Sequence, residues 1–158
     1  MSGSLTETIE SIIKFSDDQD VSHLWNMIGN QSMKASGYNL IVGFPDVGDT
    51  LLYMQLISRE SRPLNRRSVD IQFPPQAMKD MYKMFISGIA VINCNTNGDN
   101  GGQAFITSGG VGMDCVNIKL TGNICQGFSF CVIIVGKYLN DINCKLLQIN
   151  QRLKELKN

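Results

Sequence analysis

Gly127-Phe128-Ser129-Phe130-Cys131-Val132-Ile133-Ile134-Val135 decides the fold of this 158-residue chain. Phe128, Phe130, Val132 and Ile134 fall on one parity, and Cys131, Ile133 and Val135 on the other. Side chains of a strand alternate between faces. Both faces of this strand are therefore apolar, and it must lie between two layers or against a partner. The run is far short of the ~18 apolar residues that a membrane-spanning helix needs.

Further strands precede it. Residues 116–120 alternate as Val116-Asn117-Ile118-Lys119-Leu120, after Gly109-Gly110-Val111-Gly112. Residues 104–107 and 85–94 also read as strands, with the turn cluster 95–102 between them. Upstream, 67–73 alternates Val69, Ile71 and Phe73 before Pro74-Pro75, and 49–57 is apolar on both parities. Residues 37–44 form a shorter run. The alternation of His23, Trp25 and Met27 predicts one more strand over 21–28, and residues 78–84 suit a short helix.

The ends have a different period. Ser4-Leu5-Thr6-Glu7 is a capping box, and Leu5, Ile9, Ile12 and Ile13 follow at helical spacing. Leu139, Ile142, Leu146, Ile149, Leu153 and Leu156 recur with the alternating three-and-four spacing of a heptad seam. The expected fold is mainly β: an antiparallel β-sandwich or barrel-like sheet with an N-terminal and a C-terminal helix. It forms a single domain over 1–158, divided into a helix (1–16), an antiparallel core (21–136) and a helix (137–157). Strands do not alternate with helices, which argues against a parallel nucleotide-binding sheet.

Composition restricts function. Lys plus Arg is 14 and Asp plus Glu is 14, so the formal net charge is zero. A domain built on phosphate contacts normally carries a basic excess, so direct nucleic-acid binding is not expected. Near-neutral charge leaves nothing long-ranged to keep copies apart. The acidic side of the first helix (Glu7, Glu10) complements the basic side of the last (Lys145, Arg152, Lys154, Lys157).

Catalytic constellations are sparse. His23 is the one histidine, and reads as a strand residue with a satisfied ring rather than a general base. Cys94, Cys115, Cys125, Cys131 and Cys144 form no C-x-x-C pair, which leaves zinc poorly supplied. They read chiefly as buried thiols, with one or two disulfides open to a secreted protein. Residues 95–102 have oxygen side chains at alternate positions, but Ile106 stands where a calcium loop needs its closing acid, so a hairpin turn is expected. The glycines at 109–112 are followed by no Lys-Ser/Thr and no helix, unlike a phosphate loop. No catalytic residue, cofactor or metal is expected. Arg59, Arg62, Arg66 and Arg67 form the one basic cluster, suited to an anion or partner contact or to a solvated loop.

The N-terminus lacks a basic n-region and an apolar h-region. The expectation is an intracellular protein, or a secreted one if residues 1–4 replace a removed signal peptide.

The order Gly98-Asp-Asn-Gly-Gly-Gln-Ala, Gly109-Gly-Val-Gly, Val116-Asn-Ile-Lys-Leu and Gly127-Phe-Ser-Phe-Cys-Val, with Gly48-Asp49-Thr50-Leu51-Leu52 and Arg67-Ser68-Val69-Asp70-Ile71 upstream, resembles the insect multiprotein bridging factor 2 family. The likeness covers about 37–137. It implies a small all-β domain without enzymatic activity. The family's namesake is a transcriptional coactivator that bridges a DNA-bound regulator to the general machinery, and many relatives look secreted. Thr121-Gly-Asn-Ile-Cys-Gln126 stands where relatives carry a basic, polar stretch.

Three readings follow. The leading one is a non-enzymatic, self-assembling structural protein. Its interface would use Leu139, Ile142, Leu146, Ile149, Leu153 and Leu156 with Leu5, Ile9 and Ile12, helped by an apolar β-face; a core-packing helix is the plain alternative for that stripe. The second is the bridging coactivator that the resemblance implies. The third is a β-protein that holds a small apolar ligand. The partners expected are a second copy or another protein, and no membrane.

Overall fold

A computed structural model describes residues 21–32, 40–78, 83–94, 102–139, 153, 155 and 156. Its elements are helix α1 (Val21–Ser32) and strands β1 (Leu40–Gly43), β2 (Thr50–Arg59), β3 (Ser68–Phe73), β4 (Lys83–Asn93), β5 (Gln103–Gly109), β6 (Val116–Thr121) and β7 (Phe128–Leu139). A 3-10 turn, Gln76–Met78, follows β3. All strand pairs are antiparallel. A four-stranded sheet has the order β1-β4-β7-β2, and a three-stranded sheet the order β3-β6-β5.

β7 is an inner strand of the larger sheet, and its two apolar parities meet two different layers. Phe128, Phe130, Val132 and Ile134 join Ile71, Ile118 and Leu120 of the second sheet in the inter-sheet core. Cys131, Ile133 and Val135 pack with Val21, Leu24, Trp25 and Ile28 of α1 on the opposite face. Fully burying one such side chain contributes about 1.5–3 kcal/mol. The molecule is a sandwich with a helix laid on its larger sheet. The second sheet is solvated on its outer face, where Ser68, Asp70, Gln72, Asn117 and Lys119 are exposed.

Helix α1 replaces the strand expected at 21–28. Val21, Leu24, Trp25 and Ile28 follow the spacing i, i+3, i+4, i+7, and all four are buried on the sheet, while His23 and Asn26 are exposed. The alternation of His23, Trp25 and Met27 was the wrong period. His23 is thus a solvent-facing helix residue, not a strand histidine.

Trp25 determines local glycine usage. Its indole lies over Gly88 of β4, and Nε1 donates a hydrogen bond to Gly43 O at 3.1 Å. A Cβ on Gly88 would stand 2.8 Å from the Trp25 ring.

Three further differences from the expected elements have clear causes. Gly136 does not end β7: Lys137, Tyr138 and Leu139 continue the ladder opposite Phe85, Met84 and Lys83. Gly136 marks a close approach instead, since a Cβ there would collide with the Phe85 carbonyl. The C-terminal helix therefore cannot start at 137, and Leu139 is a strand residue. Next, residues 78–84 are not a helix throughout, because the 3-10 turn ends at Met78 and β4 starts at Lys83. Finally, the segment after β4 closes no hairpin, because β4 and β5 belong to different sheets.

Residues 1–16 lie outside the described residues, as does most of 137–157 beyond Leu139. Leu153, Glu155 and Leu156 have helical backbone and are exposed.

Candidate functional site

β5 presents the most open edge among the described residues. It hydrogen-bonds to β6 on one side and has no described strand on the other. Seven residues, Gln103-Ala104-Phe105-Ile106-Thr107-Ser108-Gly109, carry neither charge nor proline. Ala104 and Ile106 lean on the inter-sheet core, and Phe105 is 47% exposed. The other edges are blunted in ways that discourage pairing. β1 has four residues. β2 carries a bulge at Leu51/Tyr53 and ends in Arg59. β3 exposes Asp70 and runs into Pro74. β5 has one irregularity, between Ile106 and Ser108. An uncharged edge of this length can accept an extended peptide by strand addition, with Phe105 as a side-chain anchor.

The β5–β6 connection holds this edge in place. Gly110 N–H donates to Cys115 O at 3.0 Å, and Gly109, Gly110 and Gly112 take positive φ angles of 70°, 133° and 86°. The loop then docks on β4: Gly112 N–H donates to Ile86 O at 2.7 Å, and Ile86 N–H to Met113 O at 2.9 Å. The glycine run is thus a strap between sheets. Ile106, which stands where a calcium loop would place its acid, packs on the core.

The four arginines fall on one connection. Arg59 ends β2 and donates from Nη1 to Ser58 O at 2.8 Å. Arg62 bridges to Asn65, and Arg66 and Arg67 lead into β3. Arg62 and Arg66 are exposed. This loop is pinned to the 122–127 turn through Gly122 N–H to Arg67 O and Cys125 N–H to Asn65 O. Of the nine seam residues expected at an interface, Leu139 lies in β7 and Leu153 and Leu156 are exposed; Ile142, Leu146, Ile149, Leu5, Ile9 and Ile12 lie outside the described residues.

One polar arrangement escaped sequence reasoning. Asp49 has a fully buried carboxylate: Oδ2 accepts from Asp46 N–H at 2.7 Å, and Oδ1 lies 3.3 Å from Lys137 Nζ. The pair ties the turn before β2 to the end of β7, and its partners are too distant in sequence to be matched by any local pattern. Of the thiols expected to be buried, Cys94 and Cys131 are. Burial pushes Cys94 up to about 11, against a backbone hydrogen bond from Cys131 that lowers it. Burial, with Cys94 as neighbour, pushes Cys131 up to about 12. Both stay protonated and unreactive near neutrality. Cys115 is half-buried, Cys125 is exposed, and none of the four described cysteines is in a disulfide. Among the described residues, no group of three His, Cys, Asp or Glu could hold a metal ion, and no helix is long and apolar enough to cross a membrane.

The family model of transcription activator MBF2 matches residues 42–136. The chain belongs to this family. The MBF2 match begins in β1 and ends in β7, so it contains the strap, the arginine loop and the β5 edge. Helix α1 lies outside the MBF2 match, as do Lys137, Tyr138 and Leu139. No curated protein and no solved structure matches the chain.

Proposed function

We propose that the chain is a non-enzymatic, protein-binding coactivator domain that bridges a DNA-bound regulator to other proteins, with β5 as its docking edge. Membership of the transcription activator MBF2 family carries this reading. The uncharged β5 edge supplies a route for the contact, since main-chain pairing gives affinity and Phe105 a side-chain determinant. In this reading the domain works in the nucleus, holds no cofactor and makes no direct DNA contact, in keeping with its zero net charge. Self-assembly through the C-terminal seam ranks second, supported by the exposure of Leu153 and Leu156.

A reporter assay tests the proposal. Fused to a heterologous DNA-binding domain, the full chain should raise transcription several-fold. Phe105→Lys should remove most of that activation without loss of folded protein. A fusion that leaves the reporter at background sinks the coactivator reading. Full activation by Phe105→Lys sinks the assignment to β5.

A further inference from the structure

One end of the sandwich is hollow. Where the sheets part, a cavity of about 600 Å³ opens between β2, the end of β3, the turn after it, and the start of β4 facing the end of β7. Leu52 and Tyr53 form one wall, and Phe73 with Pro74 forms the other. Met84 and Tyr138, directly paired across β4 and β7, flank it, and Met78 stands at the mouth, 43% exposed.

The β2 bulge helps to build the site. The register shifts between Leu51 and Tyr53, and the successive side chains of Leu52 and Tyr53 both pack against the inter-sheet core. A bulge re-aims side chains in this way. Tyr53 and Phe73 then meet with ring centroids 5.5 Å apart, tilted by 56°.

The chemistry of the lining selects the occupant. The size falls within the ~300–1,000 Å³ typical of small-molecule sites. The lining side chains are hydrocarbon or thioether except for two phenols, and none is charged. An ionised head group would lose its hydration there without a counter-charge. The Tyr53 hydroxyl donates to Gln55 Oε1. Gln55 is exposed and lies outside the lining, so the ring of Tyr53, not its hydroxyl, is what the cavity wall offers. Flexible methionines adapt to irregular apolar shapes.

We propose that this cavity is a binding site for a neutral, largely apolar small molecule. The site is separate from the β5 edge, and its test is independent of the reporter assay.

The experiment is a fluorescence titration of the full chain with N-phenylnaphthylamine, a neutral apolar fluorophore. Emission should rise and saturate at one probe per chain. Leu52→Trp, which fills the cavity, and Met78→Arg, which places a charge at its mouth, should each weaken binding at least about tenfold. Leu64→Arg removes an apolar side chain that is 88% exposed on the β2–β3 loop, at the far end of β2, and should leave binding unchanged. Anilinonaphthalene sulfonate, the anionic counterpart, should not compete. Absence of saturable binding overturns the proposal. So does binding that survives Met78→Arg, a surface change that folding tolerates even if Leu52→Trp does not. Equal loss in Leu64→Arg, or full competition by the anion, points to a non-specific apolar surface and also overturns it.

Discussion

Gly88→Ala tests whether α1 is seated by its tryptophan. The new methyl group would lie 2.8 Å from Trp25 Cζ2, 3.2 Å from Cη2 and 3.1 Å from Val135 Cγ2. Carbon atoms in ordinary contact sit about 3.5–4.0 Å apart, so the indole must retreat by roughly 1 Å. That retreat lengthens the 3.1 Å bond from Nε1 to Gly43 O past hydrogen-bonding range. Overpacking costs about 1–3 kcal/mol and the lost bond about 1 kcal/mol more. The expected destabilisation is about 3 kcal/mol, a large share of the ~5–15 kcal/mol of a typical domain. Trp25→Leu alone removes the ring and the same hydrogen bond, and should also cost about 3 kcal/mol. In the double variant the methyl group enters space that the ring has vacated, and the bond is lost only once. The pair should therefore cost about 2 kcal/mol less than the sum of the singles. Urea unfolding followed by far-ultraviolet circular dichroism measures all four corners of the cycle. Trp25 is the one tryptophan, so its emission should also shift to the red in Gly88→Ala. Additivity of the two changes to within about 0.5 kcal/mol would refute the reasoning.

Three other perturbations probe the buried ion pair and the thiols. Lys137→Met leaves the Asp49 carboxylate buried with the Asp46 N–H as its remaining contact. Breaking a buried pair costs about 3–5 kcal/mol, and the partial exposure of Lys137 reduces this to about 2 kcal/mol; adding Asp49→Asn should recover part of the loss in the same urea assay. Iodoacetamide labelling of the native protein, mapped by mass spectrometry, should modify Cys125 and spare Cys94 and Cys131. Because folding raises those two thiols from 9.0 to about 11 and about 12, their contribution to stability is complete below pH 9. It is lost as pH rises through that interval, because the unfolded chain then releases protons that the folded one holds. A midpoint in urea that stays level from pH 8.5 to pH 10.5, values chosen about the ordinary thiol range, would contradict this.

Much of the β-architecture was legible because strand periodicity is local. Two apolar parities in residues 127–135 required two covering layers, and β7 has them in the second sheet and α1. Alternation in β3 and β6 predicted one polar face, and Asp70 and Lys119 stand on it. At 21–28 the residues met two periods at once. The helical set Val21, Leu24, Trp25 and Ile28 prevailed because it buries four apolar side chains on one sheet face, whereas a strand would have turned His23 and Trp25 the same way. Gly136 misled for a related reason. A glycine that ends a strand and one that admits a neighbouring backbone look alike until the neighbour, Phe85, is in place.

The functional features divide along the same line. Family kinship was readable from ordered short motifs, and the arginine loop from a local cluster of charge. The openness of β5 was not, because an edge is defined by which strand is absent beside it. Nor was the cavity, whose walls come from Leu52, Phe73, Met84 and Tyr138 on four strands. The sequence by itself determined most of the strands, the two-sided burial of β7 and the family. Only tertiary structure decided which strand became an edge, where the sheets parted and which charges met, because each depends on long-range pairing to which no single segment is committed.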